Sequence, residues 1–162
     1  MDRKLAVAAI GLLAFTSAKG ALAEDKEPLA VVMLGGAAEW SFPDRASSRG
    51  PSVAIEFSAI KDGLEIEVGG AKMFRPGHSE WEGEVVFRKP FTLSETAEMM
   101  VGLGPIWTRA RGEKSKLGTT FVADFMFWQT PEHKWGWFAE PSYSVGRERS
   151  LAISVGLLIG IN

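Results

Sequence analysis

The sequence predicts an all-β fold, an antiparallel up-and-down β-barrel of about eight strands. Three observations support this prediction. Apolar and polar residues alternate with a period of two along most of the chain, turn-forming segments interrupt the alternation repeatedly, and helical periodicity is hard to find. The connections are about ten residues or shorter, which favours antiparallel neighbours because parallel strands need long crossovers. A meander, with each strand beside the next one in sequence, is the simplest order.

Composition limits the protein to one folded domain and excludes several kinds of chemistry. The chain has 162 residues, of which 46% are hydrophobic and 23% are charged, so it is neither disordered nor large enough for two ordinary domains. Its formal net charge of −2 argues against nucleic acid as a partner. Cysteine is absent and only His78 and His133 are present, so we expect no metal site, no cofactor and no thiol chemistry.

The first 23 residues have the pattern of a cleavable signal peptide. Arg3 and Lys4 precede an apolar stretch, 5–15, and the small residues of Ala21-Leu22-Ala23 suit signal peptidase. The apolar stretch is shorter than the roughly 20 residues that a membrane-spanning helix needs. We therefore expect residues 1–23 to direct export, which in a chain without cysteine suits a bacterial envelope, and residues 24–162 to form the barrel domain.

The predicted strands lie between turn signals such as Lys61-Asp62-Gly63, Arg75-Pro76-Gly77 and Lys89-Pro90. The predicted strands are Ala30–Phe42, Ser52–Ala59, Leu64–Phe74, Glu80–Arg88, Ala97–Trp107, Thr119–Trp128, Lys134–Val145 and Leu151–Ile161.

The two faces of these strands differ sharply in composition. One face is aliphatic and aromatic, and Lys72 is its only charged residue, whereas the opposite face is small and acidic. An eight-stranded barrel is only just wide enough to be filled by side chains, so the many aromatic residues would overfill its interior. The inverted arrangement, with the apolar face toward lipid and bulky aromatics near both strand ends, is that of a transmembrane barrel. The sequence therefore predicts that this barrel spans a membrane.

Acidic residues recur about once per strand on the face predicted to lie inside. Unpaired buried carboxylates are costly, so we expect them to be hydrated, protonated or paired with basic groups such as Arg88, Arg109 or Arg111. A polar plug and a cation or proton path both fit the pattern, and the narrow barrel argues against a wide pore. The predicted interior polar cluster consists of Glu39, Glu56, Glu67, Glu84, Glu98, Asp124 and Glu140.

Alternate connections of a meander lie at the same end of the barrel. Basic residues outnumber acidic ones in the first, third, fifth and seventh connections, whereas the two nearly balance in the others. Arginine and lysine bind phosphate groups well, so one end of the barrel is predicted to face lipopolysaccharide phosphates. Solvated loops that happen to be basic would show the same pattern. The predicted basic rim consists of Arg45, Arg49, Arg75, Arg111, Lys114, Lys116, Arg147 and Arg149.

Three segments, LGGAAEW at 34–40, VGLGPIW at 101–107 and the run from 135 to 161, resemble small eight-stranded outer-membrane β-barrel proteins of proteobacteria. The resemblance implies an outer-membrane location, insertion by the barrel-assembly machinery and no catalytic residues. We accordingly expect a structural or interaction role in the cell envelope, with outer-membrane lipid and lipopolysaccharide as partners.

Two other functions fit parts of the pattern. A lipid-modifying barrel enzyme is one, and His78-Ser79-Glu80 offers hydrolytic residue types for it. Adjacent strand residues point to opposite faces, however, so His78 and Ser79 cannot converge there, and a solvated loop is the better interpretation. The other alternative is a soluble periplasmic barrel that binds an apolar ligand among its aromatic residues.

Overall fold

A computed structural model describes residues 28–110, 112–146 and 149–162 of the chain. The predicted signal peptide, residues 1–23, lies outside these described residues. No helix in the described part of the chain is long and apolar enough to cross a membrane. The strands are β1 (Ala30–Ser41), β2 (Ala46–Ile60), β3 (Leu64–Arg75), β4 (His78–Ser94), β5 (Ala97–Ala110), β6 (Lys116–Trp128), β7 (Trp135–Gly146) and β8 (Ser150–Ile161).

The eight strands form one closed antiparallel barrel in sequence order, which confirms the predicted fold class. Each strand pairs with the next, and β8 returns to β1 with Ala30 opposite Ile161 and Ser41 opposite Ser150. Closure gives every strand a neighbour on both sides. We call the end where β1 begins and β8 ends the lower end, and the end that carries the β1–β2, β3–β4, β5–β6 and β7–β8 connections the upper end.

The outer wall of the barrel is apolar, as the face analysis predicts. Large hydrophobic side chains project outward along every strand, and Trp81 and Leu157 expose 62% and 57% of their surface. Aromatic side chains lie near both ends of this wall, Trp40 and Trp81 toward the upper end and Trp135 and Trp137 toward the lower. This band is the outer surface of a transmembrane barrel. It contradicts the soluble alternative, which needs the aromatic side chains inside.

The interior is less uniformly small and acidic than predicted. Buried apolar side chains fill its lower part: Val31, Met33, Met100, Met126, Trp128, Phe138 and Leu158 form one cluster. Phe138 fits because Gly156 lies opposite it on β8, and a Cβ at Gly35 would come 3.1 Å from the Phe138 ring. The interior glycines therefore make space for inward-facing apolar groups as well as for carboxylates.

Strand β4 continues through the predicted turn at Lys89-Pro90, so that turn prediction is wrong. Lys89 pairs with Val101 and Pro90 with Met100 on β5, while the pairing of β4 with β3 ends at Arg88. Beyond Arg88 one edge of β4 has no ladder partner, so a residue without an N–H group is tolerated there. Pro51 in β2 occupies a similar gap, where the β2–β3 ladder is interrupted between Arg49 and Ser52.

Candidate functional site

One arginine organises the polar interior. Arg88, on β4, is fully buried in the lower half of the barrel. Its Nη1 lies 3.2 Å from Glu56 Oε2 and 3.1 Å from Asp124 Oδ2, and its Nη2 lies 2.6 Å from Glu67 Oε2 and also contacts Glu140. These four carboxylates come from β2, β6, β3 and β7, so a single side chain connects five strands across the lumen.

The guanidinium group suits this position because it presents five N–H donors in a rigid planar fork. A lysine ammonium is a point charge and could not reach four carboxylates that approach from different sides. Breaking a buried ion pair is much more costly than breaking an exposed one, since the remaining charge is left without compensation. We call Arg88 and its four carboxylate partners the Arg88 cluster.

The Arg88 cluster separates two small cavities. The cavity above it has a volume of about 50 Å³ and is lined by Glu39, Glu67, Glu82, Glu84 and Glu140, among others. The cavity below it has a volume of about 90 Å³, and Glu56, Glu98 and His133 contribute to its wall. Side chains of the cluster thus line both cavities and close the lumen between them.

Glu67, Glu84 and Glu140 bring carboxylate oxygens within 4.8 Å of one another, a spacing that one cation could bridge. Groups of acidic residues also occur without a bound ion, and Glu67 and Glu140 already contact Arg88. Nothing else in the described structure points to a metal there, so we assign no metal site.

The structure places all seven residues of the predicted interior polar cluster inside the barrel, but it brings only four of them together. Glu56, Glu67, Asp124 and Glu140 belong to the Arg88 cluster, and Glu84 faces the cavity above it. The remaining two lie toward opposite ends, Glu39 near the mouth and Glu98 near the lower opening.

Arg75 is predicted on the basic rim, but its side chain turns into the upper mouth of the barrel. Its Nη2 lies 3.2 Å from Glu39 Oε1 and its Nε lies 3.0 Å from Glu80 Oε1, while Asp44 is 3.7 Å from Nη1. The side chain is only 10% exposed. Arg75 is on the same inward-pointing face of β3 as Glu67, and the acidic groups of the interior attract its positive charge. This arginine therefore closes the mouth instead of extending from the rim.

His133 closes the lower opening. In the sequence its neighbours Pro131, Glu132 and Lys134 indicate only a turn. Its ring stacks on Trp128 with the centroids 4.8 Å apart, and Nε2 lies 3.0 Å from the backbone oxygen of Glu95. Nδ1 is 3.6 Å from Glu98 Oε1. The residue has a positive φ of 49°, and its N–H donates to the Thr130 backbone oxygen in the β6–β7 connection.

The other residues of the predicted basic rim lie in three settings. Arg45, Lys114 and Arg149 are exposed in or beside the upper connections, and Lys116 is half-buried at the start of β6. Arg49 lies lower, on the outer wall of β2. Arg111 and Arg147 fall outside the described residues.

Sequence analysis missed the central role of Arg88, which it names only as one of three basic groups that could reach the interior acids. The alternation of side chains along the strand could have indicated this role, because Arg88 points to the same face as Glu82 and Glu84. The predicted strand ended at that residue, which made the position look like a strand end. Arg109, another of the three, is exposed on the outer wall.

Comparisons with known proteins agree with this architecture at the level of fold. No protein-family model matches the chain, and no curated protein matches it. Among solved structures, neisserial surface protein A (NspA) is similar with a TM-score of 0.65 at 16% identity, covering 82% of this chain and 96% of that one. The N-terminal barrel domain of Pseudomonas aeruginosa OprF is similar with a TM-score of 0.59 at 13% identity, covering 83% and 100%.

A third similar structure is Ail, the attachment invasion locus protein of Yersinia pestis, solved in complex with the heparin analogue sucrose octasulfate. Its TM-score is 0.63 at 16% identity, with 83% of this chain and 99% of that chain covered. At these identities the likeness establishes the fold alone. The fold is that of small eight-stranded outer-membrane barrels.

Proposed function

We propose that this protein is an integral outer-membrane β-barrel with a non-enzymatic, structural or interaction role, and that its upper rim contacts lipopolysaccharide. The observation that carries the proposal is the combination of an apolar outer wall with a closed, polar lumen. Apolar side chains predominate on the wall along every strand, whereas carboxylates and Arg88 occupy the interior. Such a surface is stable in a bilayer and would aggregate in water.

The lumen supports a role that does not depend on conduction. The Arg88 cluster closes its lower half, Arg75 closes its mouth and His133 covers its lower opening. Of the two interpretations left open by the sequence, these contacts favour the polar plug. A cation or proton path would need the Arg88 cluster to rearrange.

The upper rim is suited to anionic saccharide. Arg45, Lys114 and Arg149 are exposed there, and no ion pair holds any of them among the described residues. The similar barrel of Ail is solved with a sulfated sugar, which shows that a protein of this fold can carry a polyanionic carbohydrate. Lipopolysaccharide phosphates at the outer leaflet present a comparable charge.

The enzymatic alternative has weaker support. His78 is exposed at the start of β4, and Ser79 follows it directly in the strand, so the two side chains point to opposite faces. No other histidine and serine among the described residues offer a nucleophile with an adjacent base: His133 contacts Glu95, Glu98 and Trp128 instead.

Two measurements test the proposal. Fractionation of the native host should recover the protein with outer membranes, and recovery in the soluble periplasm would contradict the membrane assignment. Retention of the folded protein on immobilised lipopolysaccharide should fall in the triple variant Arg45→Asn, Lys114→Gln, Arg149→Gln. It should also fall as salt shortens the Debye length below about 8 Å.

A charge-matched control uses the opposite end of the barrel. The variant Lys61→Gln, Lys89→Gln, Lys134→Gln removes three positive charges near the lower connections and should keep the retention of the parent protein. Equal loss in both variants would indicate a general charge effect, and unchanged retention of the upper-rim variant would rule out the lipopolysaccharide contact.

A further inference from the structure

Lys72 lies on the outer wall and is the only charged residue on the face that the sequence predicts to contact lipid. It is about 10 Å along β3 from Arg75, which is the upper end of that strand. Its Nζ is 5.4 Å from the ring centroid of Phe74 and 5.3 Å from that of Trp81. Both distances fall within the range of cation–π attraction. The two rings therefore hold the ammonium group against the wall.

Strand register brings two further cations to the same part of the wall. Trp81 pairs with Lys72 on one side and with Arg109 on the other, and Arg49 on β2 pairs with Phe74. Adjacent strands are about 4.8 Å apart, so Lys72 and Arg109 are separated by about 10 Å at the backbone. Arg49 and Arg109 are exposed, and no ion pair holds any of the three among the described residues.

A groove adjoins this group of cations. It has a volume of about 850 Å³ on the outer wall, and its lining includes Trp40, Arg49, Phe74, Pro141, Leu151 and Ile153. Arg49 thus belongs both to the groove and to the group of cations, and Phe74, whose ring Lys72 contacts, also lines the groove. Apolar side chains beside a cluster of cations match a molecule with an acyl chain joined to an anionic head.

We propose that the outer wall below the upper rim binds one phosphorylated, acylated sugar of the outer leaflet, with Arg49, Lys72 and Arg109 at its phosphates and one acyl chain in the groove. This inference rests on the proposed membrane location and orientation. It concerns a different surface from the rim, because the site faces the bilayer laterally and takes the lipid portion instead of the distal saccharide. The occupant is a lipid headgroup and not free phosphate, since half of the site is apolar.

The position of these cations on the outer wall favours a partner at the membrane interface. A charged side chain on the lipid face is costly at the bilayer midplane and much less costly near the interface, where phosphates are available. Lys72 and Arg49 lie three residues from the upper ends of their strands, so their flexible side chains can reach that interface. A headgroup with more than one phosphate there could contact the three cations together.

The test uses the full-length mature protein folded into phosphatidylcholine nanodiscs that contain bisphosphorylated lipid A, with retained lipid counted by native mass spectrometry. The variant Lys72→Met, Arg49→Met should bind lipid A about 25-fold more weakly than the parent, about fivefold for each cation removed. Because methionine is apolar, this variant should insert into phosphatidylcholine as well as the parent, so weak binding cannot be attributed to unfolding. The control Lys61→Met, Lys134→Met should bind as the parent does.

Three outcomes would overturn the proposal: parent-level binding by the wall variant, equal binding of dephosphorylated lipid A by the parent, and full displacement of lipid A by millimolar inorganic phosphate. The rim variant Arg45→Asn, Lys114→Gln, Arg149→Gln separates this inference from the proposed function. If the rim variant loses lipopolysaccharide retention while the wall variant keeps its lipid A, the proposed function stands and the wall site does not. The reverse pattern would support the wall site and remove the rim contact.

Discussion

Replacing Arg88 with methionine tests whether this residue holds the barrel together. Methionine is unbranched and replaces the aliphatic stem of arginine, so the change removes the charge and the five donors and leaves only the space of the guanidinium unfilled. It leaves Glu56, Glu67, Asp124 and Glu140 facing one another without the group that all four contact. Arg88 is 0% exposed, so solvent screening cannot reduce the loss.

Breaking a buried ion pair by removing one partner costs about 3–5 kcal/mol. With four carboxylates losing one shared partner, we expect Arg88→Met to lower the free energy of unfolding by about that amount. The folding equilibrium would then fall by about two to three and a half orders of magnitude. Arg88→Lys should cost less, because an ammonium keeps the charge but presents only three donors.

Urea titration of the barrel folded in phosphatidylcholine vesicles, followed by tryptophan fluorescence and by gel mobility of the unheated protein, measures this change. Lys89→Met is a matched control, since Lys89 is the next residue and donates only an exposed hydrogen bond to the Asp62 backbone oxygen. Its effect should stay within about 0.5 kcal/mol. If Arg88→Met were as stable as Lys89→Met, the Arg88 cluster would not be the stabilising centre that its geometry indicates.

Two further predictions address the wall and its glycines. Leu157→Arg places a charge on the lipid face and should cost about 2–4 kcal/mol of stability in vesicles, whereas Ser154→Arg points into the lumen beside Glu140 and should cost less. Equal losses in the two variants would contradict the face assignment, and a larger loss in Ser154→Arg would mean that the faces are inverted. Gly156→Ala should destabilise by about 1–3 kcal/mol, because its Cβ would lie 2.2 Å from the Leu34 backbone oxygen. Gly36→Ala is the control, since its nearest neighbour would be 3.7 Å away, and identical urea midpoints for both variants would contradict the close-packing argument.

Alternation and turn chemistry predicted the barrel because both are local. Side chains of a strand alternate between its two faces, so the local sequence shows which residues share a face. Short connections then dictate antiparallel neighbours, and eight such strands can close. Residues 64–74 and 151–161 were predicted almost to the ends of β3 and β8 for this reason.

Strand ends at prolines could not be predicted in the same way. A proline disrupts a strand only if its missing N–H would have joined a ladder, and that depends on how far the neighbouring strand extends. The ladder between β3 and β4 stops at Arg88, so Pro90 continues the strand without losing a bond there. Where that ladder stops is a property of the assembled sheet, which no local sequence pattern records.

The direction of Arg75 likewise depended on assembly. Its turn-like neighbours, Pro76 and Gly77, suggest an exposed rim residue, whereas its carboxylate partners Glu39 and Glu80 come from β1 and β4. Only the closed barrel brings those groups around it. His133 is similar, because its stacking partner Trp128 is near in sequence but its contacts with Glu95 and Glu98 require the β5 end of the barrel.

By itself the sequence determined the fold class, the strand order, the outward apolar face and the acidic character of the lumen, because these follow from periodicity and connection length. The tertiary structure alone decided that Arg88 joins carboxylates from four other strands, and that Lys72 lies between two aromatic rings on the outer wall. Both arrangements depend on cross-strand register. Register is a relation between segments far apart in the chain, and hydrogen bonding around the closed sheet establishes it.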